Sequence, residues 1–144
     1  MSQMVITKNF KETQLLGEKF SSTLKGGEVI ALSGELGGGK TTFVQGLVSG
    51  LGIKNRIISP TFIIVRSYKL NNKKIKAKYF YHIDLYRIDS ENDVVGMELD
   101  EIINDKNNIV AIEWSEKIRK LLPKNRTEIK FKYLKDNERE IEFK

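Results

Sequence analysis

The chain has 144 residues and a formal net charge of +6, and 40% of its residues are hydrophobic, which suits one ordinary core and predicts a single domain over residues 1–144. It contains no cysteine and only one histidine, so disulfide frameworks, thiolate zinc sites and multi-histidine metal centres are excluded. No apolar run approaches the ~20 residues that cross a bilayer, and no secretory signal is evident, so we expect a cytoplasmic protein without membrane contact.

The first predicted elements are a helix, a buried strand and a second helix. Asn9 can cap the first helix, with Glu12 as its capping-box partner, and Gly26 and Gly27 are expected to end it. Residues 28–33 form a short apolar run, which is typical of a strand covered on both faces. A glycine-rich loop follows, and the next helix has apolar residues at helical spacing. This buried stripe consists of Val44, Leu47, Val48 and Leu51.

A β-hairpin is predicted in the middle of the chain. Residues 61–70 and 74–84 are rich in β-branched and aromatic side chains, and a turn near Asn71 would join them, because asparagine tolerates positive φ angles. Residues 90–103 then indicate one or two short helices broken around Gly96.

The last third of the chain predicts a buried strand over residues 108–114, a short helix over 115–122 and a terminal hairpin over 129–143. Pro123 stops the short helix, since proline cannot continue it. Helices that alternate with buried strands, together with two hairpins, indicate the fold class. We predict an α/β, P-loop NTPase-like domain in which helices flank a mixed central sheet with β-hairpins.

A phosphate-binding loop joins the first predicted strand to the second helix. Residues 34–41 read G-E-L-G-G-G-K-T, and the glycines let the backbone point its N–H groups at phosphate oxygens. Lys40 would offer its charge to the β and γ phosphates, and Thr41 its hydroxyl to Mg²⁺. The strand–loop–helix context favours this interpretation over a chance glycine turn. The residues expected to contact the nucleotide here are Gly34, Glu35, Leu36, Gly37, Gly38, Gly39, Lys40, Thr41 and Thr42.

Two carboxylates are candidates for the metal and the catalytic site. Asp84 and Glu113 each end an apolar run that predicts a strand. Strand ends at one edge of a sheet converge on the ligand crevice, and Mg²⁺ prefers carboxylate oxygens. Either side chain could instead simply face water. Thr61, within S-P-T-F at residues 59–62, is a third candidate, because a threonine there can reach the γ phosphate and its metal as switch threonines do. Its structural alternative is a proline turn that opens a strand.

The nucleotide is expected to be ATP. No N-K-x-D guanine motif occurs in the chain, and the D-x-x-G match at residues 93–96 falls inside a predicted helical stretch, so we interpret it as chance. A small-molecule kinase would usually carry arginines on a lid over the nucleotide. The arginines after residue 85 do not cluster, which weakens that alternative without excluding it; they are Arg87, Arg119, Arg126 and Arg139.

Four motifs occur together in the order and approximate spacing of one known family. They are G-E-L-G-G-G-K-T-T-F at residues 34–43, S-P-T-F at 59–62, H-I-D-L-Y-R at 82–87 and I-E-W at 112–114. The chain resembles the TsaE-type ATPases, which take part in making threonylcarbamoyladenosine in bacterial tRNA. The resemblance covers nearly the whole chain. It implies a small cytoplasmic ATPase that uses ATP and Mg²⁺, acts on a complex of TsaB and TsaD, and is weak without them.

The resemblance also implies roles for individual residues. Lys40 would hold phosphates, Thr41 and Glu113 would hold magnesium, Asp84 would lie beside the metal or the attacking water, and Thr61 would sense the γ phosphate. Trp114 would lie near the nucleotide, although core packing is its alternative. Two further residues, Phe10 and Arg139, are candidates to contact the adenine base. The departures from the family pattern, Glu35 and Gly38, remove no ligand.

A lysine-rich stretch over residues 69–78 leaves a second function open. Five lysines fall within these ten residues. Lysines keep edge hairpins soluble and unpaired, which is the simpler interpretation. Alternatively, the lysines contact tRNA or an acidic partner, and the protein is a nucleotide-gated tRNA-binding module.

Overall fold

A computed structural model of the protein describes residues 2–35, 37–54 and 64–144. Its strands are β1 (Gln3–Thr7), β2 (Val29–Gly34), β3 (Val65–Lys69), β4 (Tyr79–Asp84), β5 (Asn108–Glu113), β6 (Thr127–Lys135) and β7 (Glu138–Phe143). Its α-helices are α1 (Phe10–Ser21), α2 (Lys40–Gly50) and α3 (Leu99–Asn104), and 3-10 helices cover Glu91–Val94 and Ser115–Leu121. None of the helices in these ranges is long and apolar enough to cross a membrane.

The seven strands form one mixed sheet in the order β1-β7-β6-β2-β5-β4-β3. β6, β2, β5 and β4 run parallel to their neighbours within this group, whereas β3 and β7 pair antiparallel with β4 and β6. The predicted α/β class with a mixed sheet and flanking helices is confirmed. Because the central strands are parallel, their carboxyl ends lie at one edge, where Asp84 pairs in register with Glu113.

Helices cover both faces of the central strands. Along β5, Ile109 and Ala111 pack into the cluster that includes residues of α2 and those around α1, whereas Val110 and Ile112 pack with α3 and the two 3-10 helices. This alternation gives β5 an apolar residue on both faces, which is why its sequence is a continuous apolar run. The residues of the predicted α2 stripe, at positions 44, 47, 48 and 51, are all buried as expected.

The two long helices approach each other closely. A Cβ at Gly46 of α2 would lie 1.8 Å from the carbonyl oxygen of Gln14, and a Cβ at Gly17 of α1 would lie 2.1 Å from that of Phe43. Both distances are far below van der Waals contact, so only glycine fits at either position. The contact fixes α2, and with it the phosphate-binding loop at its start, against α1.

The start of α1 agrees with the prediction, but its end does not. The Asn9 side chain accepts a hydrogen bond from the amide of Glu12 at 2.8 Å, and the Glu12 carboxylate accepts one from the amide of Lys8. The helix ends at Ser21 rather than at Gly26 and Gly27. After Ser21 the backbone amides of residues 22–24 bond to carbonyls three residues earlier, and the hydroxyl groups at residues 21, 22 and 23 bond at the same spacing, so the α-helical pattern ends there.

Both predicted hairpins are present. β3 and β4 pair antiparallel, but the connection spans residues 70–78 and is longer than the turn expected near Asn71. Residues 61–63 of the predicted strand lie outside the described residues. Two short helices flank Gly96 as predicted. β1, which the sequence pattern did not predict, pairs with β7 at one edge of the sheet.

Candidate nucleotide-binding site

The glycine-rich loop leaves the carboxyl end of β2 and leads into α2. Gly34, Gly37 and Gly39 have φ angles of 122°, 76° and 101°, which are conformations that favour glycine. At Gly34 a Cβ would also lie 2.0 Å from the carbonyl oxygen of Phe131. The first amides of α2 have no side-chain cap, so the positive end of the helix is open to an anion. Leu36 lies outside the described residues.

Lys40, the first residue of α2, is only 4% exposed. Its Nζ donates to the carbonyl oxygens of Gly34 and Glu35 at 2.9 and 2.8 Å, and it lies 4.0 Å from the centre of the Trp114 ring. Burial lowers the pKa of Lys40, while the carboxylates of Glu113 and its neighbours oppose this shift. A phosphate at the loop would give the buried ammonium an anionic partner in place of the two neutral carbonyl oxygens.

Thr41 and Glu113 meet at the end of the loop. The Thr41 hydroxyl donates to Oε1 of Glu113 at 2.9 Å, and Oε2 of Glu113 lies 2.5 Å from Nε2 of His82. Glu113 is 2% exposed and His82 is 0% exposed. The central strands place this group, because β4 and β5 are parallel and both side chains face α2. Both oxygens of the carboxylate therefore have a defined partner.

Asp84 completes a set of oxygen donors that suits Mg²⁺. It ends β4 in register with Glu113, is 7% exposed, and accepts a hydrogen bond from the amide of Tyr86 at 3.1 Å. Among the described residues, no group of three or more histidine, cysteine or acidic side chains forms a closed metal site. One hydroxyl and one or two carboxylates fit a magnesium ion that keeps water and phosphate as its other ligands.

Trp114 lies against Lys40 as well as against the core. It has a φ of 61°, packs on the cluster around α3, and its ring centre is 5.4 Å from that of Tyr86. Lys117 holds Tyr86 by donating to its carbonyl oxygen at 2.7 Å. The ring thus has both of the environments considered for it, one beside the loop and one in the second core cluster.

Arg139 reaches the loop from β7. Its Nε donates to the carbonyl oxygen of Gly37 at 2.7 Å, and its guanidinium lies 4.7 Å from the centre of the Tyr133 ring. A Cβ at Gly39 would lie 3.5 Å from the Thr13 methyl group of α1 and 3.6 Å from Cγ of Arg139. Phe10, one turn before Thr13 on α1, is 57% exposed. The loop is therefore flanked by β7 and α1, the two elements that carry the candidate base contacts.

Three residues near the loop were missed by the sequence analysis. Glu116 accepts a hydrogen bond from the amide of Gly34 at 3.2 Å, Lys117 supports Tyr86, and Tyr133 stacks on Arg139. No motif marks them, and only the adjacency of Glu116 and Lys117 to Trp114 could have suggested them. Thr61 lies outside the described residues, and Thr42 follows Thr41 in α2, half-buried.

Fold and site together define an α/β protein built around a P-loop, with its lysine, threonine and strand-end carboxylates at one edge of the sheet. The model of one family, "Threonylcarbamoyl adenosine biosynthesis protein TsaE", matches residues 7–141. The chain therefore belongs to the TsaE family, as its motifs predicted.

Individual relatives agree with this assignment. The chain is 38% identical to the tRNA threonylcarbamoyladenosine biosynthesis protein TsaE of Bacillus subtilis, covering 95% of this chain and 82% of that protein. It is 36% identical to the TsaE protein of Rickettsia felis, covering 94% and 76%. The crystal structure of Bacillus subtilis YdiB has a TM-score of 0.78 with this chain at 34% identity, covering 99% of this chain and 84% of YdiB.

Proposed function

We propose that the protein is a Mg²⁺-dependent ATPase that converts ATP and water to ADP and phosphate as an accessory subunit of tRNA threonylcarbamoyladenosine biosynthesis. The observation that carries this proposal is the hydrogen bond of 2.9 Å between the Thr41 hydroxyl and Glu113 at the end of the P-loop. A threonine and a strand-end carboxylate in this position are the protein ligands of magnesium in P-loop nucleotide hydrolases. The relatives named TsaE support the pathway.

Each residue of the site has a defined task in this proposal. Lys40 exchanges its bonds to the loop carbonyls for the β and γ phosphates, and the amides of the loop bind the same oxygens. Thr41 and Glu113 hold the magnesium ion, which neutralises charge on the phosphates when it is bound. Asp84 holds the attacking water or a water of the metal. Thr61 senses the γ phosphate.

The base and the partners belong to the same proposal. Phe10 and Arg139 contact the adenine, since α1 and β7 both border the loop. The chain has no guanine-reading N-K-x-D motif, which favours ATP over GTP. The family supports a complex of TsaB and TsaD as the partner, the cytoplasm as the location, and weak hydrolysis by the chain alone.

The test is phosphate release from ATP with and without Mg²⁺, the TsaB–TsaD pair and tRNA. We expect slow, Mg²⁺-dependent release by the chain alone and stimulation by the pair. Lys40→Ala should abolish release and nucleotide binding, while Lys130→Ala, an exposed lysine on β6, should leave both unchanged. Normal hydrolysis by Lys40→Ala would contradict the proposal. Phosphate transfer to a small acceptor in place of water would identify a kinase.

A second candidate function is binding of tRNA at the end of the sheet opposite the P-loop. The amide of Lys76 donates to the carbonyl oxygen of Lys25, and that of Lys78 donates to that of Asn107. These contacts join three lysine-bearing segments into one surface, which we name the basic end. Its exposed lysines are Lys25, Lys69, Lys73, Lys74, Lys76, Lys78 and Lys106.

The basic end has features that suit RNA. Tyr79 is 44% exposed and pairs across the hairpin with Lys69, so an aromatic face lies beside the lysines, where an unpaired base can stack. The carboxylates of two acidic residues at this end accept hydrogen bonds from backbone amides. Glu28 accepts from the amides of Lys25 and Gly26, and Asp105 accepts from the amide of Asn107. β3 also forms the edge of the sheet, so the lysines suit edge protection as well.

Binding of labelled tRNA across a salt series separates these two roles. Changing Lys69, Lys73, Lys74 and Lys78 to Gln should weaken binding and flatten its dependence on salt if the basic end contacts phosphates. The matched control changes the same number of exposed lysines elsewhere, at positions 11, 19, 130 and 132. Equal loss in both variants, or no binding by the chain without TsaB and TsaD, would leave edge protection as the role of the lysines.

A further inference from the structure

His82 lies behind Glu113 and takes no direct part in the proposed contacts with nucleotide or metal. It is the only histidine of the chain, lies on β4 with a 0% exposed side chain, and directs Nε2 at Oε2 of Glu113 from 2.5 Å. Two residues further along β4 is Asp84. The strand that ends in one carboxylate of the site therefore also holds the other one in place.

The surroundings of the ring determine where its proton lies. Nδ1 of His82 is buried and has no hydrogen-bond partner among the residues that the structure describes. A proton on Nδ1 alone would leave a buried donor unpaired and would turn the Nε2 lone pair toward a carboxylate oxygen. Both arrangements are unfavourable in a buried site, since a buried donor without a partner has given up its hydrogen bonds to water and has no bond to replace them. Both groups are satisfied only when Nε2 carries a proton and donates a hydrogen bond to Oε2 of Glu113.

We propose that His82 is a positioning residue that donates from Nε2 to Glu113 and thereby fixes the orientation of this carboxylate. With Oε2 held by His82, Oε1 faces Thr41, where the proposed magnesium ligands meet. Without this donor, the carboxylate would lose its buried partner and could rotate away from Thr41. The role of Oε1 toward magnesium rests on the function proposed above, whereas the His82–Glu113 bond itself does not.

The position of the proton can be measured without nucleotide. Because His82 is the only histidine, every imidazole signal in a ¹H–¹⁵N spectrum of the protein belongs to it. We expect a slowly exchanging proton on Nε2, and Glu113→Gln should shift its resonance. A proton found on Nδ1 alone, or a ring that exchanges freely with solvent, would overturn the proposal.

Two near-isosteric variants separate donation from packing. The amide nitrogen of a glutamine can occupy the position of Nε2, whereas that of an asparagine reaches only the position of Nδ1. We expect His82→Asn to raise the Mg²⁺ concentration needed for half-maximal nucleotide binding and hydrolysis about 10- to 100-fold, as loss of a partner behind a metal ligand usually does. His82→Gln should recover most of this loss. Thermal unfolding of both variants serves as the control for folding.

The outcomes distinguish this inference from the proposed function. If the wild-type protein binds Mg²⁺ and ATP but does not hydrolyse ATP, the ATPase proposal fails, and the spectrum and the Mg²⁺ dependence of binding still test His82. Suppose instead that the wild-type protein hydrolyses ATP, and that the Gln and Asn variants of His82 remain folded and behave alike. Donation from Nε2 is then unnecessary, and the inference about His82 fails while the ATPase proposal stands.

Discussion

Lys40 is a charged group in a nearly buried position, and its environment changes when an anion binds. In the structure its ammonium is satisfied by two backbone carbonyls and the Trp114 ring. Phosphates would replace neutral acceptors with negative oxygens, which strengthens the hydrogen bonds. The same burial that lowers the pKa of Lys40 therefore raises its affinity for a nucleotide relative to that of an exposed lysine.

The lowered pKa of Lys40 predicts how stability depends on pH. Burial is its main cause. Below the lowered pKa the folded and unfolded chains are both protonated, and the cost of burying the ammonium is fully present. As the pH rises from that value toward 10.5, the unfolded state binds more protons, so the free energy of unfolding increases. In urea unfolding across this range, the free energy of unfolding of the wild-type protein should increase relative to that of Lys40→Met. A relative decrease would contradict this prediction.

Trp114 should report the movement of Lys40. It is the only tryptophan of the chain, so the intrinsic indole fluorescence has one source. If Lys40 leaves the ring to bind phosphates, Mg²⁺ and ATP should change the emission of the wild-type protein. The Lys40→Met variant should show no such change, while Lys130→Met should respond as wild type does. An equal response from Lys40→Met would show that Lys40 does not move in this way.

At the scale of elements, the site depends on where helices and strands hold its backbone. α2 carries Lys40 and Thr41 and is fixed against α1 at Gly17 and Gly46. β4 and β5 bring Asp84 beside the partner of Thr41 through their parallel register. Small changes in helix packing should therefore reach the loop, although no residue of this contact belongs to the loop itself.

Gly46→Ala tests that dependence. Its Cβ would lie 1.8 Å from the Gln14 carbonyl oxygen, so α1 and α2 must separate. We expect a loss of about 1–3 kcal/mol in the free energy of unfolding, the usual cost of overpacking, together with weaker ATP binding. The control is Ser49→Ala, an exposed position on the same helix. Unchanged stability of Gly46→Ala would mean that the helices tolerate a wider spacing.

At the scale of the whole molecule, the two candidate sites lie at opposite ends of the parallel strands of the sheet. The P-loop follows the carboxyl end of β2, whereas the basic end lies where β2, β4 and β5 begin. The excess positive charge of the chain is thus concentrated away from the phosphate-binding loop. An RNA bound at the basic end would leave the loop open to ATP.

This separation predicts independent binding. Titration of fluorescent ATP into the chain should give the same dissociation constant with and without saturating tRNA. Changing the lysines of the basic end to Gln should alter tRNA binding only. Direct competition between tRNA and ATP would place the RNA at the P-loop instead, and would exclude the basic end as its main contact.

The sequence predicted the elements whose local residue pattern indicates whether each position is buried, exposed or at a helix end. β2 and β5 are apolar on both faces, α2 has a continuous buried stripe, and Asn9 caps α1 as its pattern required. β1 was missed because it is a five-residue edge strand whose Met4 is exposed, so pairing with β7 rather than apolar periodicity makes it a strand. The end of α1 was placed too late, because backbone and hydroxyl hydrogen bonds to carbonyls three residues earlier replace the α-helical pattern after Ser21, before the glycines are reached.

The P-loop, its glycine conformations and the two strand-end carboxylates follow from the sequence alone, since they depend on residues close together in the chain. The residues alone leave open which carboxylate meets Thr41; the family resemblance implies Glu113, and the tertiary structure brings the two side chains together. The two residues of that bond are 72 positions apart, and Arg139 reaches Gly37 across 102. Contacts between residues so far apart in the sequence depend on strand order and register. These are set by how the whole chain buries its apolar faces and not by any local pattern.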